Sequence, residues 1–251
     1  MIRELKSLVG FLTIIPVGME SMETVSKYFF LCPLVALIIG AVAGAVGWFS
    51  NYFFPQPIVG FLVLASVQII TGFHHFDGLL DLSDAVMVRG EPAKRLEVMH
   101  DKFTGAAAVG AGVIVLLTTG LSFGYFVGLD LLKIVLVSEI MAKESMVLTA
   151  YFGKTPPYKG MGYCIVESMK KNNLKTLLSL ALSAVMAFLL LSSFSAVVFV
   201  GVVTATIVSA MVLATYANKT FGAVTGDVLG AANELIRMIS LLVILATVSA
   251  A

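Results

Sequence analysis

The sequence predicts an all-α polytopic membrane protein of about seven transmembrane helices, with an amphipathic interfacial helix at its N-terminus. Three observations carry that prediction. The 251 residues are 59% hydrophobic and 12% charged, with a mean hydropathy of +1.01, whereas soluble domains are about 25% charged. Apolar stretches close to the roughly 20 residues that cross a hydrocarbon core recur along the chain. Basic residues, finally, gather on one set of connections.

Taken in order, Met1 to Gly18 interleaves Arg3, Glu4 and Ser7 with apolar residues, which suits a helix lying in the interface rather than a cleavable leader. Spans are expected near 28–50, 57–73, 105–127, 131–152, 174–192, 196–217 and 235–250. Trp48, Tyr52, Phe53 and Phe54 form an aromatic belt at the end of the first span, and Pro55 and Pro57 make the turn into the second. Only Ser192, Ser193, Phe194 and Ser195 separate the fifth span from the sixth, so an antiparallel pair with a tight connection is expected.

Three connections are long: Phe73 to Thr104, Gly153 to Asn173 and Asn218 to Glu234. Each follows an even-numbered span, so all share a side with the N-terminus. On that side fall Arg3, Lys6, Lys27, Arg89, Lys94, Arg95, Lys102, Lys154, Lys159, Lys170, Lys171, Lys175 and Lys219, which are 13 of the 16 basic residues. Lys and Arg accumulate in cytoplasmic loops, which orients the long connections to the cytoplasm of a cell-membrane protein. With no fixed-period repeat and no low-complexity linker, residues 1–251 read as one domain.

A formal charge of +1 and the lack of basic stretches interleaved with aromatic residues set nucleic acid aside as a partner. The two cysteines, Cys32 and Cys164, make no disulfide framework and read as free thiols.

The chemistry is concentrated in the long connections. In Gly72-Phe-His-His-Phe-Asp-Gly-Leu-Leu-Asp-Leu-Ser-Asp84, acids at 77, 81 and 84 share one face of a helix. Three like charges at a membrane boundary are unfavourable unless a cation or strong donors neutralise them. Oxygen-only ligands suit Mg²⁺, Mn²⁺ or Ca²⁺, and Mg²⁺ commonly binds through a few carboxylates plus substrate phosphates. The bland alternative is a solvated acidic face. Zinc is disfavoured, since His74 and His75 lack a second histidine at helical zinc spacing. His75 reads as a general base, a phosphate partner or an ordinary supporting histidine.

Further along, Asp101 is either a fourth acid or a cap on the third span. Arg89, Arg95 and Lys102 are either loop charges or clamps on an anionic substrate. A second cluster, Thr225-Gly-Asp-Val-Leu-Gly-Ala-Ala-Asn-Glu234, places Asp227 and Glu234 on one helical face beside Asn233. For its glycines, close helix packing is the favoured reading. Glu139 and Lys143 in the fourth span form an i, i+4 pair that can neutralise itself, and Lys154 to Gly162, with Lys159, is a constrained basic loop suited to covering a phosphate.

With these elements in hand, the sequence resembles the cobalamin synthase (adenosylcobinamide-GDP ribazoletransferase) family. His75-Phe-Asp77-Gly78-x-x-Asp81-x-x-Asp84, Glu97-Val-Met-His-Asp101 followed by Gly105, and Thr225-Gly-Asp227-x-Leu-Gly-Ala-x-x-Glu234 are similar to that family's elements in order, as are Phe11 to Pro16 and Gly160-Met-Gly162. Three positions depart: His100 stands where arginine is usual, Ala85 where glycine commonly follows the third aspartate, and Lys159 where a loop arginine is expected. The resemblance implies Mg²⁺-dependent attack by a ribose hydroxyl of α-ribazole, or of its 5'-phosphate, on adenosylcobinamide-GDP, with release of GMP. On that reading Asp77, Asp81, Asp84, Asp101 and Asp227 hold metal, and His75, Asp77, Asp81 and Asp84 are catalytic. Arg89, Arg95, Lys102, Lys143, Lys159, Asn233 and Glu234 bind substrate.

Two other classes compete. A membrane phosphotransferase using CDP-linked donors also places aspartates beside an Asp-Gly pair, but expects alanine and arginine where Leu79 and Leu80 stand. An ion or solute transporter would bring its acids towards the bilayer midplane rather than into loops on one side.

Overall fold

The computed structural model describes residues 2–249, which are helical with no strand among them. Met1 of the N-terminal stretch and the last residue of the final expected span lie outside the described residues. The helices are α1 (Ile2–Leu12), α2 (Met22–Tyr28), α3 (Cys32–Ser50), α4 (Gln56–Ile70), α5 (His74–Met87), α6 (Pro92–Met99), α7 (Ala106–Phe123), α8 (Gly128–Phe152), α9 (Met161–Lys170), α10 (Asn173–Leu190), α11 (Ala196–Thr220) and α12 (Gly226–Ser249).

Five stretches among the described residues are long and apolar enough to cross a bilayer: Met22–Ser50 taken together, α7, α10, α11 and α12. A sixth is the pair α4 and α5, if the two count as one broken span. The protein is thus polytopic and integral to a membrane. The remaining expected span, the fourth, corresponds to α8, whose 25 residues carry Asp130, Lys133, Glu139, Lys143 and Glu144, too many charges for a purely apolar span.

Burial resolves the conflict between α8's charge and its position. It packs against α3, α10, α11 and α12, and every residue from Val137 to Ala150 is buried. Glycines on α3 admit it: a Cβ on Gly40 would lie 3.0 Å from Leu136 Cα, and one on Gly44 would lie 2.4 Å from Leu132 Cδ1. Close backbone approach of this kind drives helix association where lipid removes the hydrophobic incentive.

Glu139 and Lys143 of α8 join a network with α12, while Glu144 accepts from Ser179 and Ser183 of α10. Arg237 donates through Nε to Glu139 Oε1 and through its guanidinium to Glu234 Oε2. Lys143 Nζ lies 2.7 Å from Asn233 Oδ1 and 3.5 Å from Glu139 Oε2, and Gln68 Nε2 donates to Glu234 at 2.7 Å. Two cations thus meet two carboxylates in a region shielded from solvent, which is how buried charge persists in a bundle. The self-neutralising Glu139–Lys143 pair expected from the sequence is formed, within a larger network.

Two differences from the expected architecture have clear causes. The helix of the last span starts at Gly226 rather than near 235, because Asp227, Asn233, Glu234 and Arg237 look like loop in a hydropathy profile yet find partners inside the fold. At the N-terminus, α1 buries Leu8 and Leu12 against α2 and α3, so its apolar stripe faces protein. Between α10 and α11 the connection is as tight as expected, but α10 packs chiefly on α8, and α11 on α8 and α12, rather than on each other. Cys32 and Cys164 are free thiols.

The three long connections meet at one end of the bundle. Val224 N–H donates to Lys154 O at 2.9 Å and Lys154 N–H to Asn218 Oδ1 at 2.6 Å, and His100 Nε2 of the first connection lies 3.0 Å from the Tyr158 hydroxyl of the second. There the chain leaves α4 and turns by 93° into α5. Gly72 and Phe73 make the turn in consecutive left-handed conformations, φ 62° and 59°. Such a φ is strained for a phenylalanine. The turn takes α5 out of the span and lays it across the starts of α7 and α12.

Candidate active site

α5 is held in place by three contacts, each of which uses a residue of the acidic motifs. Gly78 faces α12 so closely that a Cβ would come within 2.8 Å of Asp227 O and 3.0 Å of its Cα. Gly230 of α12 reciprocates, with a Cβ there falling 3.1 Å from His75 O and 3.2 Å from His75 Cα. At the other end of α5, the Asp84 carboxylate accepts from Gly105 N–H at 2.5 Å and from Ala108 N–H at 2.9 Å. Gly105 is the N-cap of α7 and has no side chain to satisfy those donors, so Asp84 caps α7 from a neighbouring helix.

α12 starts under similar control. Thr225 Oγ1 accepts from Val228 N–H at 3.3 Å and lies 3.3 Å from Asp227 Oδ2. A Cβ on Gly162 would lie 2.6 Å from Gly226 N, so the start of α9 is pressed onto the start of α12. Asp227 Oδ2 is also 3.8 Å from His100 Nδ1, while His100 Nε2 is 3.0 Å from the Tyr158 hydroxyl.

The result is an acidic end-face. Asp77 is exposed, and Asp81 and Asp227 are partly buried. Burial first, then the negative charges of Asp77, Asp227 and Asp84, raise the Asp81 carboxyl to about 7. Three nearby carboxylates therefore press against its ionisation. Behind them, burial followed by the charges of Lys143 and Arg237 holds the His75 imidazole well below its ordinary value, hence neutral. Its Nδ1 is buried and has no hydrogen-bond partner among the described residues. The Tyr158 hydroxyl is pushed up, by burial and then by Asp227.

No three His, Cys, Asp or Glu side chains among the described residues stand close enough together to grip an ion alone. The donors present are all carboxylate oxygens, they repel one another, and Asp77 stays open to solvent. That set fits a hard divalent cation that takes one or two carboxylates and fills the rest of its shell with water or a phosphate, the habit of Mg²⁺.

Several expected site residues lie elsewhere or are already engaged. Both Asp84 oxygens serve the α7 cap, so the capping considered for Asp101 falls to Asp84. Asp101 is exposed and accepts from Phe103 N–H in its own loop at 3.4 Å. Lys143, Asn233 and Glu234, expected to touch substrate, are buried and engaged with one another, Arg237 and Gln68 in the ionic network. Arg95 donates to Val86 O and Gly90 O at 3.3 Å each, closing the end of α5. Arg89, Lys102 and Lys159 are exposed in the loops of the same end. The contact of His100 with Tyr158 was not foreseen. Its one signal in the sequence was that His100 occupies a usual arginine position.

Fold and site define an integral-membrane helical protein with an oxygen-donor acidic site at one end of its bundle. The chain belongs to the cobalamin-5-phosphate synthase family, whose model matches residues 4–245. It is 31% identical to an adenosylcobinamide-GDP ribazoletransferase of Methanosarcina mazei, over 96% of this chain and 91% of the relative. Proteins of the same description from Methanosarcina barkeri and Sulfolobus acidocaldarius are 30% and 32% identical, over 95% and 96% of this chain and 90% and 92% of their own. No solved structure matches it significantly.

Proposed function

We propose that this chain performs the late step of cobalamin synthesis that its relatives' name describes, joining adenosylcobinamide-GDP to α-ribazole or α-ribazole 5'-phosphate with release of GMP. The observation that carries the reading is that the Gly78 and Gly230 contacts pack the acidic segment of α5 against the Asp227 end of α12, so that the charges of Asp77 and Asp227 both bear on Asp81.

In the reaction, a ribose hydroxyl of the acceptor bonds to the cobinamide-linked phosphorus and the bond from that phosphorus to the GMP oxygen breaks. The hydroxyl proton needs a base. Neutral His75, with its unpartnered Nδ1, is the group we assign to accept it. Asp77, Asp81 and Asp227 are the residues that would hold Mg²⁺, which when bound neutralises charge on the transferred and leaving phosphates. The exposed Arg89, Lys102 and Lys159 supply positive charge around the same end-face for a doubly anionic pyrophosphate. Asp84 and Arg95 act by fixing the two ends of the segment that carries the acids.

We read all seven long helices as crossing the cell membrane, α8 included, because its charges are compensated inside the bundle. The end-face then lies in the cytoplasm with the 13 basic residues of that side, and α1 runs along the membrane surface beside it.

The test is GMP release by purified protein in detergent, supplied with adenosylcobinamide-GDP, α-ribazole and Mg²⁺. Asp77→Asn and Asp81→Asn are each expected to abolish release while the protein still inserts and folds. Near-normal turnover in both variants would overturn the assignment.

A further inference from the structure

A cavity of about 400 Å³ lies between α1, α5, α8, α9 and α12, beside Asp77. Its inner wall is Met146, Ile165 and Leu229, all buried, and its rim carries Met19 and Met161, both exposed. Its titratable side chains, His74, His75 and Asp77, all come from the start of α5. The cavity is therefore greasy inside, polar at one edge, and continuous with the proposed transfer site.

We infer that this cavity holds the heterocyclic base of the acceptor nucleoside, a dimethylbenzimidazole in α-ribazole, with its ribose turned outward to His75 and Asp77. The inference rests on the proposed function and adds the location of one substrate. Three arguments select the base over the other parts of the substrates. Guanine carries donors and acceptors around its edge, and burying them against methionine and leucine would leave polar groups unsatisfied at a cost of several kcal/mol. A ribosylated benzimidazole exposes a single ring nitrogen acceptor, and otherwise aromatic C–H and methyl surface. The corrin macrocycle with its amide side chains is too bulky for this volume, whereas cavities of about 300–1,000 Å³ accept ligands of nucleoside size.

The walls also suit the chosen occupant. Thioethers make favourable contacts with aromatic rings and adapt to their outline, and three of the residues named are methionines. His74, His75 and Asp77 line the same cavity, which puts polar side chains at the edge where the sugar would emerge. The base is thereby anchored away from the phosphates, and the hydroxyl is presented to them.

The experiment is steady-state kinetics of the full chain in detergent, with acceptor and donor varied separately, on wild type, Met161→Trp and Met19→Trp. Both positions are exposed at the rim, so each variant is expected to unfold at the wild-type temperature, and that is checked. The expected result is an acceptor KM raised on the order of tenfold or more, with the donor KM unchanged. Equilibrium dialysis of α-ribazole against the same three proteins should show the matching loss of affinity. An unchanged acceptor KM and affinity in both variants, or a rise in the donor KM alone, would overturn the inference while leaving the proposed function standing. A wild-type protein that releases no GMP with either acceptor would overturn the functional reading, and this assignment with it.

Discussion

Gly78 lies directly against the backbone of Asp227, so that two acidic motifs about 150 residues apart in sequence are joined through a position where a side chain has no room. The contact is backbone to backbone and cannot be relieved by a rotamer change. It sets how closely the Asp77 and Asp81 carboxylates approach that of Asp227.

Gly78→Ala should therefore cost about 1–3 kcal/mol in overpacking and should lower GMP release further than its stability loss explains. Gly110→Ala is the control, since a Cβ there meets nothing within 4 Å. A helical Gly to Ala change in open space should be neutral or slightly stabilising, by up to about 1 kcal/mol. Thermal unfolding in detergent and an activity assay on both variants check the contrast.

Asp84 separates structural from chemical roles within a single motif. Asp84→Ala removes the cap on α7 and should cost about 0.5–2 kcal/mol. Asp84→Asn keeps an acceptor oxygen and should lose less. Because both oxygens of Asp84 face backbone donors, neither variant should shift the Mg²⁺ concentration for half-maximal activity by more than about threefold, on the order of 0.7 kcal/mol. A Mg²⁺ requirement that rises a hundredfold in Asp84→Asn would make it a ligand instead.

Proton and cation should compete at Asp81. Its folded carboxyl titrates at about 7, above the unfolded value of about 3.9, so between those values the folded chain binds more protons than the unfolded one. Stability contributed by this group is full below the unfolded value and is lost as pH rises towards the folded value. A divalent cation at the ionised carboxylates opposes that loss. The Mg²⁺-induced rise in unfolding temperature should thus be small near about pH 5.5 and larger near about pH 8, and the difference should vanish in Asp81→Asn. Thermal shifts with and without Mg²⁺ at the two pH values measure it.

The buried network should behave as a unit. Arg237→Met leaves Glu139 and Glu234 short of their cation and should destabilise by about 3–5 kcal/mol. Adding Glu139→Gln restores charge balance, with Lys143 left to face Glu234, and should recover part of the loss. A double-mutant cycle on unfolding free energies reads the coupling. Additive losses would show that Arg237 and Glu139 are not coupled.

How far the sequence carried these conclusions varies with the kind of interaction. Each expected span falls on a helix, and five stretches among the described residues, or six with the bent α4–α5 pair, are long and apolar enough to cross a bilayer, since hydropathy and turn residues report apolar length directly. The fate of individual polar groups was less legible. Asp77, Asp81 and Asp84 share a helix as their spacing implies, yet one of them reaches sideways to cap α7, which depends on Gly105 lacking a side chain 21 residues later. Lys143, Asn233 and Glu234 were expected to bind substrate on the strength of the family resemblance. Their partners come from α8 and α12 packed face to face, and that pairing leaves no periodic trace. His100 and Tyr158 meet across 58 residues, through loops whose shared end was predictable but whose contact was not.

The most direct test of the central claim is single-turnover GMP release from adenosylcobinamide-GDP and α-ribazole, measured against Mg²⁺ concentration for wild type and for Asp77→Asn, Asp81→Asn and Asp227→Asn. A shared site on α5 and α12 predicts Mg²⁺-dependent release in wild type and a loss of at least about a hundredfold in each variant, roughly 2.7 kcal/mol of transition-state stabilisation. Release at wild-type rates by Asp227→Asn together with either α5 variant would contradict it.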